Sequence, residues 1–352
     1  MLWVFIELKD SHTLCIVNKI IENDKINNNK WHNDLQKINR IYMTTPYTLS
    51  KVRLFKAVLP IMIVLHHLSF FYGSLSGFVR LGLPLVACFF LMSGYGLMTS
   101  YMNKGQKYFQ GFIAHVFNKL LIPYLVAVIV YVPFILFVQQ VNVWEYLSTT
   151  NFIDWLRFSW FVWVILGGYL LFFLIFRTHI TDKRKISLYA IASLSYYLLC
   201  IYVLKDKLPC LYRTSYALLL GLLWKYYEPR IVRFLNTKYM IIPVTIISTV
   251  GFVLAVKSDD MLFNPLFAAM TFVCFAYLIP LHKDYAAVKV LSKISYEYYL
   301  WQGLSIAVVF DCLHCKSMLI AIPLCLLINA VLSIIAHYSY NNSCQNLVHQ
   351  KV

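Results

Sequence analysis

Long apolar runs follow one another along most of the chain, and they constrain its fold more than any other feature. Ten segments are long and apolar enough, or nearly so, to cross the ~30 Å hydrocarbon core of a bilayer as helices. They span residues 54–72, 81–99, 120–138, 159–176, 186–203, 211–227, 239–256, 261–281, 290–310 and 318–339. The sequence therefore predicts an all-α fold, a polytopic integral membrane bundle of about ten transmembrane helices.

The sixth segment, 211–227, fits this pattern least well because Arg213 and Lys225 lie near its two ends. A half-buried re-entrant helix is the alternative interpretation of this segment. No long hydrophilic block and no linker rich in Gly, Pro and Ser interrupts the array. Residues 43–352 are therefore predicted to form one transmembrane domain.

Composition argues against most soluble classes of protein. Charged residues make up 13% of the 352 residues and apolar residues 60%, whereas a soluble domain carries about 25% charged residues. A net charge of +16 would suggest a nucleic-acid partner for a soluble protein, but here it indicates basic loops that face anionic headgroups. We expect membrane lipid and no nucleic acid as partners, and the oligomeric state stays open.

The basic residues also predict an orientation. When each loop is counted with its helix ends, 24 of the 31 Lys and Arg residues fall on one side of the ten spans and seven on the other. Because the more basic side of a membrane protein faces the cytoplasm, both termini are predicted to be cytoplasmic. The expected location is the cytoplasmic (inner) membrane.

Residues 1–42 do not share the apolar pattern. They are polar and rich in Asn and Lys, without the apolar core or the small-residue cleavage site of a signal peptide. Two interpretations are open: a polar cytoplasmic extension that contributes nothing to the fold, or a misassigned start codon with the natural start at Met43.

Ionisable side chains at bilayer depth are costly, so those that occur are candidates for function. His66 and His67 lie in the outer half of the first span, and Lys56 lies near its cytoplasmic end. Adjacent helical residues point about 100° apart, so one histidine is expected to face the bundle interior and the other a neighbouring helix. Gln302 is expected at the same depth. Hydrogen bonding between helices is the alternative role for these histidines.

Other polar groups are given structural roles. Glu297 is expected to pair with Lys293 at the i, i+4 spacing. Ser93, Gly94 and Gly96 either permit close approach of helices or form part of a binding site, and the two roles are equally compatible with the sequence. Cys312 and Cys315 flank His314, which is a weak signal for a disulfide or half a metal site. No metal is predicted, since no second pair of ligands is identifiable in the sequence.

Six segments occur in an order and spacing typical of one known family. They are LFKAVLPIMIVLHHLSFF, GLPLVACFFLMSGYGLMTSY, NKLLIPYL, SWFVWVILGGYLLFFLIF, SYALLLGLLWKYYEPRI and LSKISYEYYLWQGL, and they cover most of residues 51–340. Together they resemble the membrane-bound acyltransferase 3 family, which includes sugar and polysaccharide O-acetyltransferases. The resemblance implies transfer of an acyl group, usually acetyl, from acetyl-CoA to a hydroxyl of a cell-envelope or exported glycan.

The resemblance also assigns roles to residues. The family's first-helix motif, an Arg, ten residues and a His, is matched by Lys56 and His67, so Lys replaces the Arg. Its basic pair before the third span is represented by Lys119, with Val116 at the second position. The chemistry of acyl transfer then makes His67 the expected general base and Gln302, where the family often has His, the expected donor to the oxyanion. Lys56 and Lys119 are expected to bind the acetyl-CoA phosphates.

Two other functions are compatible with the sequence. A multi-span transporter or flippase for a glycolipid or polysaccharide would use the histidines to line a conduction path, although the paired repeats typical of transporters are not visible. A catalytically degenerate family member acting as an assembly partner is the third interpretation, and the replacements at Lys56 and Val116 favour it.

Overall fold

The computed structural model describes residues 48–204, 210–236, 240–258, 263–278 and 285–349, and all regular secondary structure in these ranges is helical. The predicted extension, 1–42, lies outside the described residues. The α-helices are α1 (Leu49–Leu68), α2 (Gly82–Lys104), α3 (Phe112–Val116), α4 (Ile122–Gln139), α5 (Val143–Thr149), α6 (Trp160–Phe176), α7 (Asp182–Leu204), α8 (Cys210–Arg213), α9 (Tyr216–Asn236), α10 (Ile241–Ser258), α11 (Phe263–Leu278), α12 (Ala286–Lys293), α13 (Ser295–Ala307) and α14 (Met318–His349).

Each predicted span overlaps one or more of these helices. In the described part of the chain, four helical stretches are long and apolar enough to cross a membrane: Gly82–Phe109, Phe112–Gln139, Asp182–Val203 and Met318–Ser339. Three shorter apolar helices are Trp160–Phe176, Ile241–Lys257 and Phe263–Leu278. The all-α membrane fold is therefore confirmed, and the count of ten spans stays a prediction.

Helix α1 carries the first candidate residues. It is α-helical throughout Leu49–Leu68, with Pro60 inside it, and Lys56, His66 and His67 are all buried. At about 1.5 Å rise per residue, the eleven residues from Lys56 to His67 correspond to roughly 16 Å along the axis, and both residues lie on nearly the same face. The helix ends at Ser69, whose hydroxyl donates to the His66 carbonyl at 2.5 Å.

Glycines bring α2 and α9 into close contact, as the small residues of α2 predicted. A Cβ at Gly94 would overlap the carbonyl oxygen of Leu218, and a Cβ at Gly221 would overlap that of Leu91. Ser93, next to Gly94, is fully buried. The backbones thus approach as closely as small residues at a membrane helix interface allow.

Triads of one tyrosine, one carboxylate and one lysine fasten α2 to its neighbours. The Tyr95 hydroxyl donates to Glu228 Oε1 at 2.7 Å, and Lys225 Nζ lies 2.5 Å from Glu228 Oε2. The second triad joins α2 to α7 and consists of Tyr101, Asp182 and Lys185. Charged groups are expensive at membrane depth, so Lys225, at the end of the doubtful sixth segment, is stabilised by this pairing.

Candidate functional site

A cavity of about 460 Å³ opens beside the end of α1, and both histidines line it. Polar and aromatic residues from distant parts of the chain also line it: Arg80, Trp160, Asn264 and Tyr299. A concave site with few convergent polar groups among apolar ones is typical of ligand pockets. The cavity is therefore the candidate functional site.

His66 is held by the loop that follows α1. Its Nδ1 lies 2.9 Å from the Phe78 carbonyl oxygen and donates to it. In the neutral ring Nε2 is then the acceptor. Gly82, the first residue of α2, lies directly against this ring, since a Cβ there would overlap Nε2.

His67 is held by an aromatic contact. Its ring stacks on Phe158 with the ring centroids 3.7 Å apart and the planes at 17°. The side chain is 8% exposed, and Nδ1 has no hydrogen-bond partner among the described residues. A buried polar atom without a partner is rare in folded proteins, so His67 keeps a ring nitrogen that the fold does not use.

The two histidines share one cavity although their nearest contacts differ, His66 lying against Gly82 at the start of α2 and His67 against Phe158. Their ring centroids are 4.8 Å apart and both rings border the same cavity. The cavity borders both rings because its wall combines the loop that carries Arg80 with the first turns of α2, which begins at Gly82.

Gln302 lies inside the packed bundle and does not line the histidine cavity. It is fully buried, and neither Nε2 nor Oε1 has a hydrogen-bond partner in the described part of the chain. Tyr299, one turn earlier on α13, lines the histidine cavity. A Cβ at Gly303 would lie 3.0 Å from the Arg157 backbone, so Gln302 adjoins the segment that carries Phe158.

The two predicted donor-binding lysines both lie near the beginning of α13. Lys56 is 6% exposed and within electrostatic range of Glu297. Lys119 is half-buried, and the carbonyl of the next residue, Leu120, accepts a 2.7 Å hydrogen bond from the Tyr296 hydroxyl. The structure thus groups these two cations at one end of α13, away from His67.

Glu297 pairs differently from the expectation. Its Oε1 lies 2.8 Å from His337 Nδ1 on α14, and Lys293 is exposed. Because α12 ends at Lys293 and α13 begins at Ser295, the helix is interrupted and the i, i+4 geometry does not apply. No pattern in the sequence indicates this pair, because forty residues separate Glu297 from His337.

Sequence analysis also missed Phe158 and Arg157, which contact the site from the loop before α6. Arg157 entered only the count of basic residues, and nothing in the local pattern marked Phe158. Its backbone carries the sole local signal, a φ of 69°, which is unusual for a bulky residue. A positive φ at Phe158 is a property of the folded backbone and has no counterpart in the sequence.

These features define a helical membrane protein with a buried histidine cavity. No curated protein and no solved structure matches the chain. A family model described as an acyltransferase domain matches residues 49–338. The chain therefore belongs to the acyltransferase 3 family, and it is a membrane acyltransferase.

Proposed function

We propose that this acyltransferase moves an acetyl group from acetyl-CoA to a hydroxyl of a cell-envelope or exported glycan. The observation that carries the proposal is His67, a buried imidazole with an unused ring nitrogen at the wall of a cavity. Histidine titrates near neutral pH, which suits a general base. Membership of the acyltransferase family supports the reaction type.

In the proposed reaction His67 accepts the proton of the acceptor hydroxyl as its oxygen attacks the thioester carbonyl. The carbon–oxygen bond forms first, and the carbonyl oxygen becomes an oxyanion. Gln302 is the proposed donor to this oxyanion, because its amide N–H groups are buried and unpartnered among the described residues. Collapse of the intermediate breaks the carbon–sulfur bond, and the proton held by His67 passes to the sulfur as CoA leaves, which restores the neutral base.

Lys56 and Lys119 are the proposed phosphate ligands of acetyl-CoA. The roughly 16 Å from Lys56 to His67 along α1 is compatible with a donor whose phosphates and thioester are joined by a long flexible arm. Lys56 is 6% exposed, so the donor must enter the bundle between α1 and α13 to contact it. Attraction of the polyanion by this basic end assists its entry.

The proposed topology has ten spans, both termini in the cytoplasm and the histidine cavity toward the outer face. The 24 to 7 division of Lys and Arg supports it. It places the donor site on the side where CoA is made and the acceptor on the opposite side. A topology reporter fused after Val352 should be active only in the cytoplasm, and activity on the outer face would contradict this arrangement.

Transfer of label from acetyl-CoA to the glycan fraction of membranes tests the function. Loss of a general base costs about 10²- to 10⁴-fold in rate, so His67→Ala should abolish transfer while the protein remains inserted. His66→Ala is the matched control, because His66 lines the same cavity, and it should retain most activity. The reverse order would assign the base to His66. If neither substitution mattered, transport or assembly would become the favoured function.

A further inference from the structure

A second cavity, of about 720 Å³, has Arg157 in its wall and shares no lining residue with the histidine cavity. Three carboxylates line it: Glu145, Asp154 and Asp311. The whole chain has only 15 acidic residues and a net charge of +16. A cavity that gathers three of them therefore runs against the charge of the protein.

These carboxylates lack cationic partners. Within the part of the chain that the structure describes, none of the three lies within ion-pair distance of a Lys, Arg or His side chain. Burial raises the pKa of Asp154, as expected for a carboxylate without a neighbouring cation. Glu145 is exposed, but Asp154 and Asp311 are partly buried, and a partly buried ion is stabilised by pairing, so the cavity is suited to a positively charged ligand.

The two basic residues in the same wall do not pair with these carboxylates. The Arg157 guanidinium lies over the Phe158 ring, 5.0 Å from its centroid, instead of forming an ion pair with a carboxylate. His314 also lines the cavity and forms no ion pair with the three carboxylates among the described residues. Three carboxylates and one guanidinium leave the wall with an excess of negative charge.

A buried tyrosine provides independent evidence for a ligand. Tyr131 is 3% exposed and lines the cavity, within electrostatic range of Arg157 and Asp311. Its hydroxyl forms no hydrogen bond with another described residue. Because the side chain is otherwise buried and lines the cavity, this hydroxyl is available to a molecule there.

The lining favours an organic cation over a metal ion. Among the described residues, no group of three His, Cys, Asp or Glu side chains is arranged to hold a metal. The rings of Tyr131, Tyr146 and Phe310 lie in the same wall. Aromatic faces and carboxylates together are the groups that recognise an ammonium.

We propose that this cavity binds the ammonium group of an amino sugar whose amine is free. Arg157 lines this cavity, and Phe158 contacts His67 in the other, so the two sites adjoin through one pair of residues. That this amino sugar is the acyl acceptor rests on the proposed function. That the cavity binds its ammonium group does not. An ethanolamine headgroup carries the same ammonium chemistry, and the test separates the two sources.

Ligand-induced shifts in thermal unfolding of the full-length protein in detergent, without acetyl-CoA, test the site. Glucosamine should stabilise the protein, while glucose and N-acetylglucosamine, which lack the charge, should not. Asp311→Asn should weaken glucosamine binding roughly tenfold or more, the scale of a hydrogen bond to a charged group. Asp182→Asn removes a carboxylate outside the cavity and should leave glucosamine binding unchanged.

Tyr131→Phe removes only a hydroxyl that has no protein partner in the described part of the chain, so this variant should fold and should still bind glucosamine more weakly. It provides the test if the Asp311→Asn variant does not fold. Equal shifts with glucose and glucosamine would overturn the proposal, as would a shift with Ca²⁺ alone. Stabilisation by ethanolamine but not glucosamine would overturn the amino-sugar assignment in favour of a lipid headgroup. Because no donor is present, these outcomes are independent of whether His67 catalyses acetyl transfer.

Discussion

The His67 imidazole stacks on the Phe158 ring at a centroid distance of 3.7 Å. The Arg157 guanidinium lies 5.0 Å from the centroid of the same ring. Phe158 adopts a φ of 69°, and a bulky residue in the left-handed region costs roughly 1–3 kcal/mol. Such strain persists only where the surrounding structure imposes it. Here the strained backbone places the Phe158 ring against the imidazole of His67, the proposed base.

Phe158→Ala should therefore slow acyl transfer through His67 without removing the base. A loss of about tenfold or more is expected, because a displacement of about 1 Å in a catalytic group can cost up to 10²-fold. The effect should appear in kcat with the KM for acetyl-CoA little changed, and Phe158→Tyr should restore the rate.

The control for this substitution is Phe137→Ala, since Phe137 is 83% exposed and lies outside both cavities. A rise in KM with normal kcat in Phe158→Ala would mean that Phe158 contributes to substrate binding instead of positioning His67.

The helices and the residues that share a helix face could be predicted, because both depend on local sequence pattern. Continuous apolar runs located the helices, and the period of the helix placed Lys56 and His67 on one face of α1. The site itself depends on contacts across long separations. Phe158 reaches His67 from a loop 91 residues further along the chain, and such contacts have no periodic signal in a single sequence.

Helix interruptions explain a second class of errors. Glu297 and Lys293 have the spacing of an ion pair, but Ile294 separates α12 from α13. His337 then satisfies the carboxylate. A one-residue break in an apolar segment leaves the composition unchanged, so no count of residues could locate it.

The lysine at position 56 makes a prediction about the donor. Lys56→Ala should raise the KM for acetyl-CoA, because a cation that contacts a phosphate contributes about 1.5–3 kcal/mol, or roughly ten- to a hundredfold. Lys56→Arg should retain activity, since it restores the residue typical of the family and keeps the charge beside Glu297.

Steady-state kinetics with varied acetyl-CoA in membranes checks the role of Lys56, with Lys104→Ala, an exposed lysine at the end of α2, as the control. An unchanged KM in Lys56→Ala would show that this buried lysine serves the structure through Glu297 and not the donor.

The contact between α2 and α9 predicts a sharp difference between glycines. Gly221→Ala should destabilise the protein by about 1–3 kcal/mol or more, because the added methyl overlaps backbone atoms that cannot move aside. Gly167→Ala is the matched control: nothing lies within 4 Å of its Cβ position, so the substitution should be neutral or slightly stabilising. Thermal unfolding in detergent measures both, and equal effects would contradict the close approach of these helices.

Gln302 offers a test in which stability and activity should change in opposite directions. Its amide is fully buried without a hydrogen-bond partner among the described residues, and an unsatisfied buried polar group costs about 1–3 kcal/mol. Gln302→Met keeps the volume and removes the polar atoms, so the unfolding temperature should stay the same or rise. If the amide donates to the oxyanion, transfer should nevertheless fall by about 10²- to 10³-fold. A variant that lost stability and kept its activity would assign Gln302 to the bundle core instead of the reaction.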